Sequence, residues 1–129
     1  MYKETIITVV IIILIITGNI ITQNNTNKSA QIINNELNNL RQNIIKENVN
    51  KEEVVKHIEK IEELWEEESE KMAYYIEHNE LEKVETEITK LKADIEVKNY
   101  SFAVENLDNC IFVIEHIMDK TALKIVNIF

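Results

Sequence analysis

One glycine, no proline and one cysteine in 129 residues exclude several fold classes before any pattern is read. Sandwich hairpins, dinucleotide-binding units and phosphate loops need glycine at tight turns or where backbone approaches a phosphate. The single glycine, Gly18, lies inside an apolar run. Cys110 has no partner in the chain, so a disulfide scaffold is out. Positive charge is scarce as well: 14 Lys and Arg stand against 23 Asp and Glu, a net charge of −9. Sequence-independent nucleic-acid binding needs a basic surface, so no nucleic-acid partner is expected. Catalytic arrangements are missing too. Ser29, Ser69 and Ser101 lack the glycine neighbours of a nucleophile elbow, and Cys110 falls on an apolar helical face, where a thiol is inert filling. Neither an enzyme nor a cofactor is expected.

What is present falls into unlike pieces. Residues 5–22 read TIITVVIIILIITGNIIT, with twelve Ile, Val or Leu and no charge. As a helix rising 1.5 Å per residue this stretch spans about 27 Å, against a hydrocarbon core of roughly 30 Å. A buried strand is the rival, since β-branched residues dominate. A strand that long in water would aggregate. A cleaved signal peptide needs small residues before the cut, and Ile16-Thr17-Gly18 is a poor match. An uncleaved transmembrane anchor over residues 1–22 is therefore expected, with the lipid bilayer as partner of residues 5–22. A short N-terminal tail carrying Lys3 stays cytoplasmic, which places the rest of the chain outside a bacterial cell membrane in a single pass. Residues 23–29, QNNTNKS, are polar and without apolar period; they read as a juxtamembrane linker or a continuation of the helix.

Residues 30–129 repeat one pattern. Ile33, Leu37, Leu40 and Ile44 are spaced 4-3-4; Val54, Ile58, Ile61, Trp65, Glu68, Met72 and Tyr75 continue it. Leu81, Val84, Ile88, Leu91 and Ile95 follow, then Ala103, Leu107, Cys110, Ile114 and Ile117. These spacings predict amphipathic helices near 30–48, 51–78, 80–97 and 100–126. Asn50 with Glu53, and Asn79 with Glu82, have the capping-box form; Asn99 opens the last helix. Connections of one to three residues force neighbours to run antiparallel. The expected fold is all-α: an N-terminal transmembrane helix followed by an acidic, antiparallel up-down four-helix bundle of two helical hairpins, its last helix central. A long two-stranded coiled coil is the rival.

Candidate interaction residues are Trp65, Glu68, His78, His116 and Phe129. Trp65 lies in the acidic run 59–70 and is either a core anchor or an interface hot spot. Glu68 interrupts an apolar seam. It is read mainly as a carboxylate at the seam's edge in water, otherwise as a buried group or a partner of Arg41, the only arginine. Hairpin register brings His116 close to His78 at the membrane-proximal end, beside Glu77, Glu80 and Glu115. Imidazole and carboxylate are metal ligands, yet the spacing lacks any Glu-x-x-His, and a metal is not expected. Phe129 ends an apolar C-terminal strip that either meets lipid or packs on the first helix.

The anchor, Trp65 in an acidic helix, Ile76-Glu77-His78 followed by Glu80, and the closing Asn127-Ile128-Phe129 together resemble a family of short membrane-anchored helical proteins of unknown function from Gram-positive spore-forming bacteria. The resemblance implies a helical domain tied to the membrane and supplies no catalytic residues. The expected function is a non-catalytic, membrane-anchored interaction or scaffold module on the outer face of the membrane. Its partner is another membrane or envelope protein, with room for a homo-oligomer. The alternative is a metal- or pH-sensing module built on His78 and His116.

Overall fold

The computed structural model of the chain describes the backbone of residues 1–128 and the side chains of residues 1–121. It contains four helices and, among the described residues, no strand: α1 Tyr2–Ile44, α2 Lys51–Met72, α3 His78–Glu96 and α4 Tyr100–Ile128. α1 packs on α2 and α4, and α3 packs on the same two. Each helix thus has two neighbours, and α4 is not the central one. A side chain on a broad apolar arc does not need a central position when part of the arc stays in solvent, as Phe102 and Phe112 do.

α1 is a single helix of 43 residues, about 65 Å long at 1.5 Å per residue. Its first half is exposed on every side, including Ile6, Ile7 and the unbroken run from Val9 to Ile16. Its second half is a bundle helix. Residues 23–29 are helical rather than a break in the chain, and Gln23, Thr26 and Ser29 are buried. The buried positions of α1 run Gln23, Thr26, Ala30, Ile33, Leu37, Leu40, Ile44, spaced 3-4-3-4-3-4. One seam therefore continues straight through the polar segment.

The core is formed where these seams meet. Ile58, Ile61, Leu91, Ile95, Leu107, Ile114 and Ile117 are fully buried with Ile33, Leu37 and Leu40. Burying one such side chain is worth about 1.5–3 kcal/mol relative to exposure. Every helix contact also carries a polar staple. Arg41 Nε lies 2.8 Å from Asp108 between α1 and α4. His57 Nε2 lies 3.0 Å from Glu36 between α1 and α2. Lys92 lies 3.0 Å from Glu62 between α2 and α3, and Lys120 lies 2.6 Å from Glu80 between α3 and α4. Such pairs add little stability each, about 0–1 kcal/mol, but they fix which faces meet.

The first two connections, residues 45–50 and 73–77, are longer than expected, and the third comprises residues 97–99. α2 stops at Met72, whose carbonyl accepts from the amides of both Tyr75 and Ile76, and Ile76 rather than Tyr75 turns into the core. The chain must turn there to bury Ile76, so α3 restarts at His78 with Glu77 as its cap residue. Asn79 lies inside α3 and caps nothing, contrary to the capping-box expectation. Asn50 does cap α2, its Oδ1 accepting from the amides of Glu52 and Glu53, and Asn99 Oδ1 accepts from Phe102 at the start of α4. α3 ends in a Schellman turn: Asn99 N–H bonds to Asp94 carbonyl, and Lys98 N–H to Ile95 carbonyl. Lys98 sits at φ 58°, the left-handed position that glycine usually takes.

Candidate functional site

The buried polar side chains gather at one end of the bundle. Gln23, Thr26 and Ser29 of α1, Glu68 of α2, Glu80 of α3 and Thr121 of α4 are the buried polar or charged residues among those described. All lie toward the end where the exposed apolar half of α1 begins. Each is handled differently. Gln23 donates from Nε2 to the Tyr75 hydroxyl, while its Oε1 has no partner among the described residues. Thr26 Oγ1 also lacks one, whereas the Thr121 hydroxyl donates to the Ile117 carbonyl one turn back. Glu80 takes a hydrogen bond from Lys120, which holds that ammonium above the usual lysine range.

At the same end a groove of about 770 Å³ opens between α1 and the end of α2. Asn19, Thr22, Asn25 and Lys28 recur every three residues along α1 and form one wall with Ser29; Lys71, Tyr74 and Tyr75 form the other. Among the described residues no carboxylate lines it, in a protein of net charge −9. Lys71 is held by Glu68 and Glu67, and the hydrogen bond to Glu68 raises its affinity for its proton. Lys28 makes no ion pair with any described residue. Tyr74 is 87% exposed. Four other clefts, along α3 and at the end of α2, each carry at least one glutamate.

The residues singled out from the sequence do not converge. Trp65 is 5% exposed and packs in the core. Glu68 is buried rather than at the seam's edge in water, and its partner is Lys71, not Arg41. Arg41 binds Asp108, which raises the guanidinium's hold on its proton. The i+3 lysine on the same helix explains how the carboxylate sits in the seam: Lys71 bridges from buried Glu68 to solvent. His78 is exposed and pairs with Glu82 at 2.9 Å. His116 lines a cleft with Glu77, Glu80 and Lys120, a cleft to which His78 contributes no wall. Among the described residues no three of His, Cys, Asp and Glu are grouped to hold a metal ion. Phe129 lies outside the described residues, as do the side chains of the apolar strip before it. Cys110 is fully buried, and burial, with a smaller contribution from Glu87, pushes its thiol up to about 12.

The histidine that sequence reasoning missed is His57. Asn43 Nδ2 donates to its Nδ1 at 3.2 Å and its Nε2 reaches Glu36 at 3.0 Å, with Lys46 on Asn43 and Lys60 on Glu36. The signal was there: Glu36 and Asn43 stand seven residues apart, two turns, on one side of α1. Nothing in a single helix shows that His57 faces them.

Comparison with known proteins gives one positive result. Residues 20–128 match the model of a family described as Domain of unknown function (DUF4363). The chain belongs to that family. The match starts where the apolar run is ending, so the DUF4363 domain comprises the bundle together with the polar stretch of α1 that the seam passes through. No curated protein and no solved structure matches the chain.

Proposed function

We propose that this DUF4363 protein is a single-pass, membrane-anchored, non-catalytic helical module. Its up-down antiparallel bundle stands on the outer face of a bacterial cell membrane and engages another membrane or envelope protein. One observation carries the anchoring: α1 passes without a break from an apolar half exposed on every side to a half whose seam builds the bundle. Exposed Ile, Val and Leu over about 27 Å of helix match the thickness of a hydrocarbon core, and no described residue packs on that part of α1. Tyr2 and Lys3 stand at one end of the apolar run and Tyr74 and Tyr75 beside its other end, the usual places of interfacial aromatics and cations. Antiparallel order is supported by the staples: Glu36 meets His57 while Gln23 meets Tyr75, and Asp94 meets Asn106 while Glu80 meets Lys120.

The interaction role is supported by two surfaces that no described residue covers. α2 carries Glu59, Glu63, Glu66 and Glu70 along one outer stripe, and α4 exposes Phe102 and Phe112. An Ile- and Asn-rich composition fits a low-GC Gram-positive source of the spore-forming kind. The test is fractionation. Expressed in a bacterium, the full chain stays in the membrane pellet through alkaline carbonate, and protease added to intact spheroplasts removes the bundle. Release by carbonate overturns the anchor. A bundle protected until the cells are permeabilised overturns the orientation.

A further inference from the structure

We propose that the groove between α1 and the end of α2 holds the phosphate of an anionic lipid headgroup from the leaflet that the bundle faces. The inference rests on the anchored reading above and adds a ligand to it. Its first support is level. Asn19 and Thr22 line the groove and belong to the last turn of the apolar run, so the groove opens where hydrocarbon gives way to headgroups. Lys28 stands six residues further on, about 9 Å along the axis. Side chains on a helix lean toward its N-terminus, which for α1 is the membrane end, so the Lys28 ammonium leans back toward the headgroup layer.

The second support is chemistry. A phosphate diester needs cations and hydrogen-bond donors, and it is repelled by carboxylates. The groove offers Lys28, Lys71, the Tyr74 hydroxyl and two asparagine amides, and no carboxylate of the described residues lines it. Elsewhere the surface is acidic, with 22 of the 23 Asp and Glu lying beyond residue 28, so a bundle pressed against an anionic leaflet would be repelled except at this place. Of the two groove lysines, Lys28 has no carboxylate partner among the described residues, while Glu67 and Glu68 keep Lys71 at the opposite wall. Tyr74, almost fully exposed at this level, suits the interface between lipid and water.

The test uses the full chain, extracted from membranes in mild detergent and offered phosphatidylglycerol or phosphatidylcholine in equal amounts. Native mass spectrometry reads the lipid retained. The expected result is preferential retention of one phosphatidylglycerol. Lys28→Gln should reduce it about fivefold, the effect of one cation near an anionic surface, Lys28→Arg should restore it, and Lys3→Gln at the far end of the run should change nothing. Equal retention of the two lipids, or an equal effect of Lys3→Gln, overturns the proposal. Displacement of the lipid by inorganic phosphate at tens of millimolar also overturns it, by showing a site for a soluble anion. Carbonate extraction of the same membranes separates the two readings: a chain that stays in the pellet but shows no lipid preference is anchored without this site.

Discussion

The two ends of the bundle use the same 3-4 seam, and among the described residues polar side chains enter it at only one of them, beside buried Met72, Leu81 and Ile117. Away from the apolar run the core is Leu37, Leu40, Ile44, Val54, Ile58, Leu91, Ile95, Ala103 and Leu107, with no buried polar side chain. Near the run it includes Gln23, Thr26, Ser29, Glu68, Glu80 and Thr121. The first kind of end supplies folding energy; burial of aliphatic groups is the dominant favourable contribution to a small domain. The polar groups at the second kind of end add little to that, because every buried polar group must recover the hydrogen bonds it gave up in water. Gln23 Oε1 and Thr26 Oγ1 have not recovered theirs. The purely aliphatic part of the core and the proposed lipid-facing groove thus sit at opposite ends, so a truncation in the first leaves the residues of the second in place.

The largest expected effect breaks the aliphatic end. Leu107→Ala removes a fully buried side chain of α4, the helix that packs on α1 and α3, and should cost about 2–5 kcal/mol, the usual range for such a truncation. Chemical denaturation of the full chain in detergent measures it. A cost below about 1 kcal/mol would show that this end is not where the stability lies. The same kind of change at the other end should have the opposite sign. Thr26→Val keeps the shape of the side chain and removes a buried hydroxyl that has no partner among the described residues, so it should stabilise by up to about 1 kcal/mol. Destabilisation by Thr26→Val would mean that the hydroxyl has a partner after all, a water or a lipid.

That asymmetry also decides what a sequence shows. Every apolar seam position read from spacing is buried except Tyr75, because a 3-4 apolar repeat has no other stable use in water. The polar end was illegible for the same reason: Gln23 and Thr26 occupy seam positions, but the repeat can be seen only where apolar residues mark it. The segment 23–29 therefore reads as a linker or a continuation of the helix, with nothing in it to mark the seam that passes through. Helix ends were read poorly at 73–77, where no glycine or proline marks the stop and the burial of Ile76 ends α2. The groove depends on which helix follows which face, and Lys28, Lys71 and Tyr74 are 43 or more residues apart between its walls. His57 was missed on the same ground.

A smaller effect concerns the aliphatic end's turn. Lys98 holds a left-handed φ of 58° that costs a non-glycine residue about 1 kcal/mol, and the Schellman hydrogen bonds require that conformation. Lys98→Gly should therefore stabilise by about 0.5–1 kcal/mol, somewhat less than the strain removed, because glycine also gains freedom in the unfolded chain. A loss of stability would mean that the lysine side chain contributes more than its backbone costs.

The smallest effect lies on the surface that joins the two ends. Glu59, Glu63, Glu66 and Glu70 follow one another at 4-3-4 along α2, all exposed and none in an ion pair with a described residue. Like charges at these spacings repel by about 0.2–0.5 kcal/mol per pair. Glu63→Lys converts the repulsion with Glu59 into an attraction in the favoured order, glutamate before lysine, so it should stabilise by a few tenths of a kcal/mol at low ionic strength. The gain should vanish in molar salt, where the screening length falls to roughly 3 Å. A salt-independent gain would point to packing instead of charge. If the stripe faces a basic partner in the cell, the same substitution should weaken that contact while the isolated protein grows slightly more stable, and stability and association would then change in opposite directions.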